Sequence, residues 1–208
     1  MQKLVFNRRR VLSGITAILG SVIPFRSFAK VARTVESTEG PFYPTESMRF
    51  DDIDNDLVCI DGFVRQSGGE IFYLKGTVTD ANGAPMPGIR VEIWQCDVGG
   101  RYLHTSDPRQ VEYDTGFQGF GHDITDDDGA YSFRTIKPVS YPGRAPHIHV
   151  KCLADDKELL TTQFYLKDDP QNSRDFIYKR LSDSQADSVS MALVDGVDGA
   201  EAIVDLVV

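Results

Sequence analysis

The stretch YSFRTIKPVSYPGRAPHIHVKC, residues 131–152, decides the fold of this chain. Within it His147 and His149 are separated by Ile148, and such alternation is typical of a β-strand with one face in an apolar core. On a strand both imidazoles lie on one face, and Ile148 points to the other. Tyr141 enters from the preceding loop. The stretch therefore predicts a strand that carries part of a metal site.

The rest of residues 71–208 continues this β pattern. Short runs rich in β-branched and aromatic residues are separated by turn signals such as Asn82-Gly83. The predicted strands are residues 71–80, 89–95, 131–136, 147–153, 159–166 and 201–208. One short helix is predicted at residues 171–181, and residues 95–131 are long irregular segments of the kind that carries function on a rigid scaffold. The pattern favours an all-β fold, a single-domain β-sandwich with long active-site loops and one short helix.

Residues 30–70 have little periodicity and are predicted to form an N-terminal arm. The segment TEGPFYP, residues 38–44, places two prolines and a glycine around two aromatic residues, which excludes a helix. We expect such a segment to pack flat against another part of the protein. It forms the lip of a pocket, with Tyr43 as a candidate substrate contact, or it only anchors the N-terminus.

The first 29 residues are predicted to be an export signal rather than part of the fold. The start is basic, residues 11–24 are mostly apolar or small, and Ser27-Phe28-Ala29 offers small residues to a signal peptidase. The apolar run is too short for a membrane-spanning helix. Arg8-Arg9-Arg10 followed by Val-Leu is typical of a twin-arginine signal, with an ordinary secretory signal or an uncleaved anchor as alternatives. We expect an exported protein located in the periplasm.

The charge of the chain excludes some partners. The formal net charge of −9 becomes −14 when residues 1–29, which hold five basic and no acidic side chains, are removed. An acidic protein without a basic patch is not expected to bind nucleic acid, nor to insert into a membrane once its signal is gone.

Three cysteines, Cys59, Cys96 and Cys152, allow at most one internal disulfide, and none has a metal-binding spacing. The sequence does not choose a pair. For Cys152, on the strand after the histidines, a buried reduced side chain is the preferred interpretation.

Four segments, in order along the chain, resemble the intradiol ring-cleavage dioxygenases, and in particular the iron-bearing chain of the protocatechuate 3,4-dioxygenase type. They are VEIWQCDVGGRYLH (91–104), FQGFGHDITDDDGAYSFRTIKP (117–138), YPGRAPHIHV (141–150) and TTQFYLKDDP (161–170). The arm segment TEGPFYP is similar to the N-terminal part of the same family. An isolated His-Ile-His would be weak support, whereas the ordered set is specific.

The resemblance implies a mononuclear non-haem Fe(III) held by Tyr102, Tyr141, His147 and His149. Phenolate oxygens suit a hard trivalent cation, and imidazoles complete such a site. By the same matching, Tyr141 is the ligand that leaves when substrate arrives, whereas Tyr102 stays. The implied reaction cleaves a catechol-type aromatic with O2 to a cis,cis-muconate-type dicarboxylate.

Two further residues match the implied pocket. Arg144 would stabilise charge that develops on the substrate ring, and Gln163 would support it. His104 lies two residues past Tyr102 and is a candidate support for the site, whereas His122 is interpreted as loop structure or substrate tuning. Trp94 is interpreted as core.

Two other functions stay open on the residues alone. The segment KGTVTDANGAPMPGIRVEIWQ, residues 75–95, is similar to exported transthyretin-like binding modules that hold no metal. The histidine pair also suits a zinc hydrolase, although zinc would normally need a cysteine or carboxylate beside it. The resemblance implies that this one chain supplies all four iron ligands, so we expect that it can assemble alone, as a homo-oligomer.

Overall fold

Ten short strands and little helix make up the part of the chain that the computed structural model describes, residues 30–63 and 65–208. The predicted export signal lies outside the described residues. The strands are β1 (Ile71–Thr79), β2 (Arg90–Trp94), β3 (Phe120–Ile124), β4 (Ala130–Ile136), β5 (His147–Ala154), β6 (Lys157–Leu166), β7 (Ser190–Met191), β8 (Val194–Asp195), β9 (Ala200–Ile203) and β10 (Leu206–Val207). One α-helix, α1 (Asp183–Ser188), and 3₁₀ turns at Glu46–Met48, Asn172–Arg174 and Tyr178–Arg180 complete the described elements.

The strands form two five-stranded sheets. In the first, β1 pairs with β4 on one edge and with β9 and β10 on the other, and β8 extends β9. The second has the order β3-β2-β5-β6-β7. The predicted all-β sandwich is confirmed by this architecture.

The core lies between the sheets, and strict alternation along β5 shows how it is built. Ile148, Val150 and Cys152 are fully buried in the core cluster, together with residues of β1 such as Phe72 and Leu74. His147, His149 and Lys151 point to the opposite, outer face of the second sheet because side chains alternate along a strand. The apolar face of β5 therefore stabilises the fold, and the polar face is available for a functional site.

One strand of the second sheet lies inside the segment that was predicted to be irregular. β3 pairs antiparallel with β2, with Phe120 opposite Trp94. Its Gly121 lowers the strand propensity of the sequence, but the structure needs a glycine there, because a Cβ would lie 2.4 Å from the backbone oxygen of Asp54. The arm crosses the strand at that point, and only the tertiary contact explains the residue.

The helix predicted at residues 171–181 is wrong in position. That segment holds two 3₁₀ turns separated by Asp175, whose carboxylate accepts the backbone N–H groups of Ile177 and Tyr178. Such side-chain acceptors compete with helical hydrogen bonds. The α-helix begins later, after Ser182, which forms a capping box with Gln185.

The predicted final strand is interrupted. β9 and β10 both pair with β1, but Val204 between them donates its N–H to Lys75 and accepts the hydroxyl of Tyr131. Gly76 of β1 permits this close approach, since a Cβ there would lie 1.9 Å from the oxygen of Val204.

Residues 30–63 and 65–70 run across the sandwich largely without strand structure. The arm is tied to β6, because Ser37 donates its N–H to Thr161 and Thr162 donates its hydroxyl to Val35. No helix among the described residues has the length and apolar character needed to cross a membrane.

Candidate metal centre

Four side chains meet on the outer face of β5, and they are the four predicted ligands. The Nε2 atoms of His147 and His149 lie 3.2 Å apart. The hydroxyl oxygens of Tyr102 and Tyr141 lie 3.3 and 3.4 Å from Nε2 of His147. Residues separated by 45 positions in the sequence thus place their donor atoms around one point.

The two histidines are positioned by the sheet. His149 is opposite Trp94 on β2 and opposite Gln163 on β6. The indole ring stacks on the imidazole, with centroids 4.8 Å apart and an interplanar angle of 12°. His147 donates from Nδ1 to the carbonyl oxygen of Ala145 at 2.7 Å, because a carbonyl can only accept. Its Nε2 therefore carries a lone pair that faces the cluster.

A tight turn delivers Tyr141 to the cluster. Arg144 donates its backbone N–H to the carbonyl oxygen of Tyr141 at 2.9 Å, with Pro142 and Gly143 between them. Gly143 has a φ of +86°, so the segment has the proline and glycine placement of a type II turn. The turn leaves Tyr141 half-buried and places it beside Arg144.

Tyr102 is held more firmly. It is 2% exposed, and its ring stacks on Phe42 of the arm with centroids 5.0 Å apart. Its backbone N–H donates to the carboxylate of Asp107 at 2.7 Å. Packing and backbone hydrogen bonding therefore fix Tyr102 from both sides.

The four groups are neutral when no cation is present. Burial, helped by the Arg144 cation, lowers the pKa of His147 to about 3, and burial beside His147 lowers the pKa of His149 well below its usual value. Burial raises the pKa of Tyr102 well above that of an ordinary phenol, and it raises the pKa of Tyr141 in the same direction. Two neutral phenols and the neutral imidazole of His149 thus lie at hydrogen-bond distance around Nε2 of His147.

A hard cation fits this donor set. It would attract all four lone pairs, and it would favour the ionised phenols that burial otherwise disfavours. Among the described residues, no group of three or more His, Cys, Asp and Glu side chains is arranged to hold a metal. The donors beside the histidine pair are therefore the two phenol oxygens. Two phenolates with two imidazoles suit Fe(III).

Arg144 belongs to a buried polar network next to the cluster. It donates from Nε to Asp175 at 2.8 Å and from Nη2 to Oε1 of Gln163 at 2.5 Å and to the hydroxyl of Tyr165 at 3.2 Å. Gln163 in turn donates to the carbonyl oxygen of Thr38 on the arm. The network joins both predicted polar residues, Arg144 and Gln163, and holds the arm against the site.

Arg109 also lies at the donor cluster, although no sequence pattern predicted it. Its guanidinium carbon lies 4.4 Å from the ring centroid of Tyr141 and 5.5 Å from that of Tyr102. It forms a two-point ion pair with Asp107, the acceptor of the Tyr102 N–H. Arg109 lies in a loop without a regular pattern, so no periodicity marks it. The Asp-Pro-Arg turn after Tyr102 was the available signal.

Three other predicted residues lie outside the cluster. Tyr43 donates its hydroxyl to Glu92 at 2.6 Å and packs edge-on against Trp94, so the arm reaches the centre through Gly40 and Phe42 instead. The remaining two are His104 and His122. His104 accepts the N–H of Ser106 through Nδ1, and its ring lies 5.8 Å from that of Phe42. His122 is on β3 opposite Glu92.

The structure also gives the positions of the three cysteines and of Trp94, for which the sequence made predictions. All three thiols are free, with Cys59 exposed and Cys96 and Cys152 buried. Trp94 is fully buried, as expected of core, but the indole packs against His149 on the outer face of the sheet and not between the sheets.

Comparison with known proteins identifies relatives of this chain. A family model described as Dioxygenase matches residues 38–207. The protocatechuate 3,4-dioxygenase beta chain of Burkholderia cepacia is 31% identical over 172 residues, which cover 79% of this chain and 72% of that protein. Catechol 1,2-dioxygenase of Acinetobacter baylyi is 32% identical over 177 residues, but the match covers only 53% of its length.

A solved structure is similar as well. The dioxygenase domain of a dioxygenase carbohydrate-binding protein fusion from Streptomyces sp. SirexAA-E matches with a TM-score of 0.64 at 30% identity. The match covers 85% of this chain and 98% of that domain.

Proposed function

Because this chain belongs to the intradiol ring-cleavage dioxygenases, we propose that it cleaves a catechol-type aromatic between its two hydroxylated carbons, with a mononuclear Fe(III) and O2. Both atoms of O2 would enter the product, a cis,cis-muconate-type dicarboxylate. The observation that carries the proposal is that the two phenol oxygens and Nε2 of His149 all lie 3.2–3.4 Å from Nε2 of His147.

Tyr102, Tyr141, His147 and His149 would hold the ferric ion. When bound, it would supply the Lewis acid for both catechol oxygens and the redox partner for the reaction with O2. The other tasks fall to the protein.

The two tyrosines suit different tasks. Tyr141 is half-buried on a turn, so it is placed to move aside and to accept a proton from a catechol hydroxyl. Tyr102 is enclosed by Phe42 and held through its backbone, so it is suited to remain in place.

Arg144 would act electrostatically. Its guanidinium is fixed by Asp175, Gln163 and Tyr165, so it is preorganised to stabilise negative charge on the substrate ring. Gln163 orients it, and Gly40 of the arm covers His149 and limits water at the centre.

The test is spectroscopic and stoichiometric. Purified protein should contain about one iron per chain, and it should show a visible tyrosinate-to-Fe(III) charge-transfer band. Oxygen uptake across a panel of catechols should be equimolar with substrate, and ¹⁸O2 should label both new carboxyl groups. A colourless protein without iron would favour the transthyretin-like binding module, and bound zinc with hydrolase activity would favour the zinc enzyme.

We also propose that the protein is exported to the periplasm. The basis is the twin-arginine pattern and the apolar run of residues 1–29. Replacement of Arg8 and Arg9 by lysine should leave the protein in the cytoplasmic fraction, whereas an unchanged distribution would contradict twin-arginine export. Light scattering on the purified chain tests whether it forms a homo-oligomer.

A further inference from the structure

A cavity of about 740 Å³ opens beside the candidate metal centre. The arm forms one wall, with Gly40 and Pro41, and the segment between β6 and α1 forms the other, with Phe176, Ile177 and Leu181. Arg144, whose side chain is only 9% exposed, also lines the cavity, and we call the end at Arg144 and Gly40 its inner end. A Cβ at Gly40 would lie only 3.2 Å from Cε1 of His149, so Gly40 borders both the cavity and the centre.

The cavity is large for a single aromatic ring. Its volume lies in the range that accommodates drug-sized ligands. A catechol whose two oxygens reach the donor cluster would occupy the inner end and leave the outer part empty. A substrate that fills the cavity must therefore carry a substantial group on its ring.

The lining indicates the chemistry of that group. Phe176 is a large apolar side chain that is 56% exposed, and the guanidinium of Arg144 lies 5.6 Å from its ring centroid. Ile177 and Leu181, both half-buried, extend the apolar surface outward. An exposed aromatic face next to aliphatic side chains favours a flat apolar group.

The charges disfavour an anionic group. Arg144 keeps its charge next to the centre but is paired with Asp175, with side-chain exposures of 9% and 0%, so the pair adds no excess positive charge for a substrate carboxylate. At the rim the exposed Glu36 and Arg180 have opposite charges. The cavity thus has no net charge that would attract a carboxylated catechol.

We propose that the natural substrates are catechols with a bulky, neutral apolar substituent, preferably an aryl group, which packs on Phe176. This inference rests on the proposed function and specifies its substrate class.

The experiment compares 4-phenylcatechol, 4-methylcatechol and protocatechuate on the iron-loaded enzyme. The wild type should cleave 4-phenylcatechol with a kcat/KM at least about tenfold above that for 4-methylcatechol, and should use protocatechuate least well. Phe176→Ala should lower kcat/KM for 4-phenylcatechol about tenfold and leave 4-methylcatechol within about twofold. The matched control is Phe63→Ala, which removes a phenylalanine of similar exposure (55%) on the arm, outside the cavity lining. It should change kcat/KM for neither 4-phenylcatechol nor 4-methylcatechol.

A second readout is independent of turnover. Anaerobic calorimetric titration should show weaker binding of 4-phenylcatechol to Phe176→Ala and unchanged binding of 4-methylcatechol. Equal use of the two neutral catechols, a preference for protocatechuate, or insensitivity to Phe176→Ala would overturn the substrate class while the enzyme still cleaved catechols. Failure to cleave any catechol would instead reject the proposed function, and this inference with it.

Discussion

The two tyrosines of the donor cluster are chemically alike but differently held. Tyr102 is buried, stacked on Phe42 and tied to Asp107 through its backbone, whereas Tyr141 is half-buried on a proline-glycine turn. The difference comes from their surroundings and not from their distances to His147, which are nearly equal. We therefore expect substitutions at the two positions to have different effects.

Tyr102→Phe should lower iron affinity by about 100-fold or more, and should bleach or shift the visible band, because it removes a proposed ligand that its surroundings hold in place. Tyr141→Phe keeps the fixed phenol and should bind iron with a smaller loss, of about tenfold, while catechol turnover falls. Iron titration followed by absorbance separates the two. Equal losses of iron affinity would contradict the assignment of different roles.

Asp175 organises the polar network beside the centre. Its carboxylate, fully buried, accepts hydrogen bonds from Arg144 and from the backbone N–H groups of Ala145, Ile177 and Tyr178. Burial by itself would raise the pKa of Asp175, but the hydrogen bonds and the Arg144 cation outweigh it and hold the pKa below its usual value. The carboxylate therefore binds its proton less tightly in the folded chain than in the unfolded one.

This linkage gives a pH dependence. The stabilisation by ionised Asp175 is present above the unfolded pKa of about 4 and is lost as pH falls through the lower folded value. Asp175→Asn should lower the free energy of unfolding at pH 7 by about 3–5 kcal/mol, because Arg144 loses its buried partner, and the difference from wild type should shrink below about pH 4. Urea unfolding from pH 7 to pH 3 measures it, and a constant difference would contradict the mechanism.

At the scale of elements, the arm completes a site that the sheet begins. The sheet supplies His147 and His149, and the arm adds contacts around them. Gly40 lies next to His149, Thr38 accepts a hydrogen bond from Gln163, and Phe42 stacks on Tyr102. Gly40 has a φ of +75° and little space toward His149. The path of the arm is therefore coupled to the geometry of the histidine.

Gly40→Ala tests this coupling against a matched control. Gly62 has a similar φ of +81°, but a Cβ there would meet nothing within 4 Å. Both substitutions should cost about 1–2 kcal/mol of stability for the strained backbone. Only Gly40→Ala should also push the arm from His149 and reduce iron affinity and turnover, by about tenfold. Similar catalytic losses in both variants would show that the arm contact is unimportant.

At the scale of the whole molecule, the core and the site lie on opposite faces of the second sheet. The core cluster fills the space between the sheets, whereas the donor cluster lies outside, under the arm and loops. The sandwich does not depend on a metal for its packing. Metal binding should add stability to a chain that is already folded.

Removal of iron by a chelator should abolish the visible band and leave the far-ultraviolet circular dichroism of the β-fold unchanged. Iron at 100–1,000 times its Kd adds about 3–4 kcal/mol, so the melting temperature of the apo protein should be lower by roughly 5–15 °C. Calorimetry of both forms measures the shift. Loss of the β spectrum on chelation would contradict the separation of core and site.

The sequence by itself determined the β-sandwich, the histidine face of β5 and, through the ordered motifs, the four residues that meet at the centre. These features depend on local alternation and on motif spacing, which the linear chain displays directly. The phase of the strand alone placed Ile148 in the core and His147 outside it.

The tertiary structure decided what depends on contacts between distant segments. Gly121 has a low strand propensity, so β3 was not predicted, and only the contact with the crossing arm explains the glycine. Asp175 accepts the backbone N–H groups of Ile177 and Tyr178, so the predicted helix does not form there. Arg109 and the cavity at Phe176 carry no periodic signal, since each acts on residues that the fold alone brings near. Contacts between residues that are distant in the sequence leave no pattern in it, so their function can be recognised only in the folded chain.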